Sequence, residues 1–235
     1  MRAKPSLGPR TLAGALVEEI RQGILSGRYR AGTQLRQDAL AEDFSVSRIP
    51  VREALFQLEA EGFVKIVPQK GAVVSELSRQ EINDIFELRI LLEPRLLLAS
   101  APKLADQDFE WIVARHEAYV EAISSRAVHA YGRMNADLHL SLYHHADMPR
   151  TQQIVLALLQ TSERYTRIQL SNVEAMHRAM AEHAELISLC RSGQFERAGH
   201  FLADHVSAVR DDLMKTFSAV SGLMNSQSRS ISNKS

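Results

Sequence analysis

The chain has 235 residues, room for one or two domains, with 45% hydrophobic residues and 28 basic against 28 acidic side chains. The zero formal net charge excludes a broad electrostatic footprint for nucleic acid, so any such contact must rest on locally placed arginines and lysines. The single cysteine, Cys190, excludes an intrachain disulfide framework; with no apolar run of membrane-spanning length and no signal-peptide core, the expected compartment is the cytoplasm.

Residues 1–9, with Pro5, Gly8 and Pro9, read as a flexible arm. Leu12, Leu16, Ile20 and Ile24 recur every four residues and predict a helix over 11–26. A short helix follows over 37–44, then a tight connection through Ser45 and Val46. The next helix opens at Ser47, whose hydroxyl is of a type that caps a first turn, and Pro50 sits where a missing N–H costs little. Val51, Ala54, Leu55 and Leu58 form its apolar stripe, and Gly62 stops it. Arg48 and Arg52 lie four apart, off that stripe. Guanidinium groups there suit guanine edges or phosphates, although a solvated face explains the same pattern equally well. The flanks favour DNA: two short helices joined this tightly are a helix-turn-helix. The strand-forming runs 63–67 and 72–74, about a turn at 68–71, add a hairpin wing with Lys70 and Gly71 near its tip. Residues 10–76 thus read as a winged helix-turn-helix of three helices and a β-hairpin.

Beyond Ser78 the period is helical throughout. Helices are expected over 80–99, 106–124, 127–146, 151–172, 173–191 and 194–217, with Pro94 inside the first. The whole is mainly α: residues 79–217 form an all-α antiparallel bundle of about six helices, and 218–235 form a disordered serine- and asparagine-rich tail. Three histidines fall on apolar stripes. His183 aligns with Leu186, Ile187 and Cys190; His205 with Leu202 and Val209; His139 with Asn135, Leu138 and Leu142. His183 and His205 stand at similar distances on either side of Gly193, so a helical hairpin there brings them to similar heights. Burying an imidazole without a partner costs on the order of 1–3 kcal/mol. One such histidine is best explained by a nearby carbonyl, hydroxyl or water; three on converging stripes are better explained by a shared metal ion. His116, His129, His144, His145, His177 and His200 lack this pattern and read as surface or loop residues.

The run from Leu25 to Leu35, with Leu40-Ala41, Val46 to Leu55, Leu58, Glu61-Gly62 and Gly71, resembles the N-terminal domain of the GntR family of bacterial transcription regulators. The resemblance implies DNA contacts by Ser47, Arg48 and Arg52, a minor-groove approach by Gly71 at the wing tip beside Lys70, and a phosphate contact by Arg36. In the second half Glu87-Leu88-Arg89, Glu93, Asn135, Leu138-His139, Glu182-His183, Gly193 and His205 resemble the FCD effector domain of the FadR subfamily. There the resemblance implies a metal held by Asn135, His139, His183 and His205. Asn135 stands where Asp is usual and offers an oxygen without charge, so the ion would keep its charge and attract an anion. A small carboxylate effector would complete the shell and pair with Arg89. Arg133 and Tyr143 are further candidates for effector binding, and Arg164 and Arg167 weaker ones.

The expected function is a ligand-responsive repressor, not an enzyme. As a homodimer it would be released from a pseudo-palindromic double-stranded DNA operator by an organic acid bound beside a divalent metal, zinc first, with nickel, iron or manganese as alternatives. A dedicated metal sensor is the nearest rival. A metal-dependent hydrolase or lyase is the other, but it leaves the winged helix unexplained and lacks a general base, since Glu182 is expected to point off the buried stripe.

Overall fold

The computed structural model describes residues 11–76, 78–125, 130–169 and 173–232, and within these the side chains up to 163, at 165 and over 173–216. The expected arm over 1–9, His129 and the side chains of Arg164 and Arg167 lie outside the described residues. The chain divides into two compact units, Met1–Glu76 and Leu77–Ser235.

In the first unit α1 (Leu12–Leu25) is capped by Thr11, whose Oγ1 accepts the Gly14 N–H at 3.1 Å. Helix α2 (Gln37–Asp43) and α3 (Arg48–Ala60) are joined through Ser45, which takes a positive φ of 54°. The wing strands β2 (Val64–Val67) and β3 (Gly71–Val74) pair antiparallel as expected. A third strand, β1 (Gln34–Leu35), pairs with Ala72 and Val73 and gives the order β1-β3-β2. Two residues are too short to carry a period, so this strand leaves no pattern in the sequence. Leu16, Ile20, Leu40, Val51, Leu55, Leu58 and Phe63 form the core. The stripe Val51, Ala54, Leu55 and Leu58 is fully buried, so α3 is packed on one side and turns Arg48 and Arg52 to solvent.

The described residues of the second unit form six α-helices: α4 (Arg79–Ser100), α5 (Asp106–Ser124), α6 (Tyr131–Leu142), α7 (Pro149–Gln169), α8 (Val173–Arg191) and α9 (Phe195–Ser232). Ser78 caps α4, accepting the Glu81 N–H at 3.3 Å. Pro94 lies within α4 without ending it. Helix α4 packs along α9 and α7, α5 along α6 and α8, and α8 along α9. Gly193, at φ 76°, closes the α8–α9 hairpin. Cys190 is buried in this core, and desolvation pushes its thiol up to about 12. Among the described residues no helix is long and apolar enough to cross a membrane.

Two helix C-termini differ markedly from expectation. Helix α6 ends at Leu142 rather than Ala146, because Tyr143 to His145 turn and Asp147 takes a positive φ of 54°. The tail expected to be disordered from 218 is instead helical to Ser232. It contains no proline and only Gly222 as a breaker, and adding residues to an existing helix costs little.

Because Leu58 is wholly buried in the first unit, Leu58→Ala should lower its stability by about 2–5 kcal/mol. Chemical denaturation followed by far-UV circular dichroism measures this.

Candidate functional site

His139 on α6, His183 on α8 and His205 on α9 are buried at 0, 1 and 5% exposure and meet inside the bundle. The His183 Nε2 lies 3.3 Å from the His139 Nε2 and 3.2 Å from the His205 Nε2. Two nitrogens bound at ~2.05 Å to one tetrahedral ion stand about 3.3 Å apart, so the spacing fits a shared cation. The outer nitrogens strengthen the fit. His139 Nδ1 lies 2.7 Å from Glu93 Oε2, and His205 Nδ1 lies 2.7 Å from Glu182 Oε2. Carboxylates at both Nδ1 atoms fix the proton there, leaving two Nε2 lone pairs pointed inward. His183 can donate to only one of them, and its own Nδ1 is buried without a hydrogen-bond partner. Three imidazoles alone cannot satisfy this arrangement, whereas a cation accepts every inward lone pair. Burial holds His183 well below the ordinary imidazole range, with His205 and His139 adding to the effect. Burial likewise lowers His139, against the opposing pull of Glu93. Both shifts favour the neutral imidazole, the form that binds metal.

Glu93 is the hub behind His139. It is fully buried, and its Oε1 accepts Arg89 Nε at 2.5 Å while its Oε2 also accepts the Tyr143 hydroxyl at 2.6 Å. Burial raises its carboxyl, but Arg89 and then His139 and Tyr143 more than offset this and hold it well below the usual carboxylate range. Glu93 and Arg89 lie one turn apart on α4, a spacing that pairs them. Glu182 follows a different logic. It adjoins His183 in sequence and was expected to point away, yet it reaches across the hairpin to His205 rather than to its neighbour.

A cavity of about 40 Å³, more than one water needs, opens beside His205. Arg89, Asn135, Tyr119 and Ser162 line it together with Phe86 and Leu159. The Arg89 Nη1 lies 3.4 Å from the Ser162 hydroxyl. Asn135 stands on the cavity wall one turn before His139. Two expected effector contacts are placed elsewhere. Arg133 is 62% exposed and lies 4.0 Å from Asp137 on the outer face of α6, one position off the inward stripe. Tyr143 is buried behind His139, with its hydroxyl spent on Glu93. His116, expected at the surface, is half-buried: its ring packs edge-on to His183 and its Nε2 lies 3.1 Å from the Met180 carbonyl oxygen.

In the first unit Arg36, Ser47, Arg48, Arg52, Lys70 and Gly71 are all exposed. Ser47 occupies the N-cap position of α3, but its side chain makes no capping hydrogen bond. Gly71 has a φ of 75° at the wing tip, where a side chain would be strained.

Residues 12–74 match the model of bacterial regulatory proteins of the gntR family, and residues 84–208 match that of the FCD domain. The chain belongs to the GntR family and carries an FCD domain. It is 43% identical over 75 residues to the gluconate operon transcriptional repressor of Bacillus licheniformis, a match covering 32% of this chain and 30% of that protein. Against the HTH-type transcriptional regulator BphR of Paraburkholderia xenovorans it is 27% identical, across 87% of this chain and 86% of the relative. The fold matches E. coli McbR/YncC with a TM-score of 0.75 at 19% identity, covering 88% of this chain and 99% of that structure. A GntR family member from Pseudomonas syringae pv. tomato is 32% identical with a TM-score of 0.50, covering 91% and 90%. This GntR-family chain is accordingly a DNA-binding transcription regulator rather than an enzyme, and its histidine cluster is one that can hold a metal ion.

Glu93→Gln should leave Arg89, only 4% exposed, without its counter-charge and cost the regulator about 3–5 kcal/mol. Since folding lowers the Glu93 pKa, its contribution is complete above the unfolded carboxylate range and is lost as pH falls below it. The variant's stability should therefore fall less steeply than wild type between about pH 5 and pH 3. Urea unfolding at several pH values, followed by the fluorescence of Trp111, reads both effects.

Proposed function

We propose that this regulator is a homodimeric repressor that leaves a pseudo-palindromic operator when a small organic acid binds inside the FCD bundle beside a divalent metal. The observation that carries the reading is the meeting of three imidazole Nε2 atoms with a carboxylate behind two of them. His139, His183 and His205 would hold the ion, with Asn135 offering a neutral carbonyl oxygen from the cavity wall. Zinc suits three imidazoles with an open fourth position; nickel, iron and manganese accept the same donors. The ion, when bound, supplies positive charge to the cavity, and no ligand carboxylate from residue 135 cancels it. An anionic ligand is favoured for that reason.

Arg89 would meet the acid's carboxylate with N–H groups that Glu93 does not occupy. The cavity is small, which restricts the acid to a few heavy atoms unless side chains move. A pure metal sensor would need no polar cavity beside the ion. Arg89, Asn135, Tyr119 and Ser162 on its wall favour the effector reading over the sensor. The homodimer is supported by apolar side chains left exposed on packed neighbours, Leu88 and Leu91 on α4 and Ile154 and Leu156 on α7. Repression is supported by the named gluconate operon repressor among the relatives. At the operator, Arg48 and Arg52 would enter the major groove, Ser47 and Arg36 would meet phosphates, and Lys70 and Gly71 would follow the wing into the minor groove.

Native mass spectrometry with elemental analysis should give a dimer carrying about one ion per chain. His183→Ala should remove the ion and leave the dimer; wild-type protein that takes up no zinc, nickel or manganese when supplied would overturn the metal assignment. On a duplex selected from a random library, Arg52→Ala should weaken binding by about 5- to 150-fold. Unchanged affinity in a gel-shift would remove Arg52 from the interface.

A further inference from the structure

The DNA-facing surface of the first unit contains a carboxylate that the reading above does not use. Asp38, in the first turn of α2, lies with its Oδ1 2.6 Å from the Nε of Arg48, the first residue of α3. Both side chains stand in solvent, 68% and 73% exposed. As a surface ion pair it contributes little to stability. It is also badly placed for simple phosphate binding, because a carboxylate repels the backbone that the neighbouring arginines attract.

The atoms that pair give it a different use. Arginine has five N–H donors, and Asp38 takes the one on Nε. The four on the terminal nitrogens remain, and these form the fork that binds guanine O6 and N7 bidentately. A carboxylate behind the fork restricts the torsions of a long side chain, so less freedom is lost when the guanine is met. The framework that holds the pair is well fixed. The Val46 N–H donates to the Ala41 carbonyl at 2.9 Å and the Ser45 N–H to the Glu42 carbonyl at 3.0 Å, which sets α2 against the start of α3. Arg52, one turn further along, has no carboxylate at ion-pair distance among the described residues. The two arginines of α3 are therefore not equivalent.

We propose that Asp38 is a specificity-determining residue, a positioning carboxylate that aims Arg48 at one guanine in each half-site of the operator. The proposal rests on the reading that α3 faces DNA. In the complex Asp38 touches Arg48 and not the phosphates, and Arg52 serves affinity more than base choice.

The test uses the full-length regulator. Binding sites are selected from a randomised duplex library with wild type, Asp38→Ala, Asp38→Asn and Arg48→Ala. Affinities for the wild-type winner and its single-base variants follow by fluorescence anisotropy. Wild type should prefer guanine at one half-site position by about 5- to 150-fold. Arg48→Ala should erase that preference. Asp38→Ala should cut it by about 5- to 10-fold at the same position only, leave the other positions unchanged, and tighten binding to a scrambled duplex as a repulsive charge is removed. Asp38→Asn keeps an acceptor for Nε and should retain most of the preference. A wild-type base profile from Asp38→Ala overturns the proposal, as does an equal loss at every position, which would mean a merely structural role at the start of α2. If Arg48→Ala itself keeps every base preference, the placement of α3 on DNA fails instead.

Discussion

The second unit depends on one buried carboxylate. Glu93 accepts from Arg89, meets the Nδ1 of His139 and accepts the Tyr143 hydroxyl, all at hydrogen-bond distance and with no exposure of its own. Each of these groups alone would be expensive to bury. Together they neutralise and satisfy one another, and in doing so they set three things at once: the tautomer of His139, the direction of Arg89 and the register of α6 against α4. A charge in this position is weak evidence for stability, because an apolar replacement of the same volume can be as stable. Its better explanation is that it defines where the imidazole and the guanidinium stand relative to the cavity.

The first unit follows a simpler logic. A dry stripe of valine, alanine and leucine on α3 leaves the opposite face free, and that face carries the arginines. The most shielded charged pair among its described residues, Arg21 with Glu61, lies between α1 and the end of α3, away from Arg48 and Arg52, which sit where water or DNA can reach them. Neutral overall charge is thus compatible with a nucleic-acid partner, because placement and not total charge directs the contact.

The helical period carried most of the architecture in the sequence. All six bundle helices, the helix-turn-helix and the wing are visible as stripes and turns, and the family resemblance fixed what they belong to. The convergence of His139, His183 and His205 was also legible, because each sits on an apolar stripe and Gly193 sets two of them level. What the sequence hid was directional. Glu182 lies next to His183 along the chain, so the stripe argument sends it outward, yet its carboxylate closes on His205 of the facing helix. Arg133 and Tyr143 lie near the site in sequence, but one is turned to solvent and the other is held behind His139. A period of 3.6 says which face a residue occupies and nothing about which neighbour its terminal atoms select. The strand β1 escaped for another reason: its two residues gain their pairing only once β3 exists to receive them.

Helix α4 is divided in character at Arg89. It is the first helix of the second unit, and it carries Arg89 in the cavity wall. From Arg89 back to Arg79 the helix is continuous over about 15 Å at 1.5 Å per residue. Pro94, which frees the Ile90 carbonyl from the ladder, lies on the other side of Arg89 and leaves this stretch intact. The unbroken ladder fixes the height of Arg89 relative to the capped first turn at Ser78. The interruption falls beside the carboxylate hub, where Glu93 is held from three sides by Arg89, His139 and Tyr143.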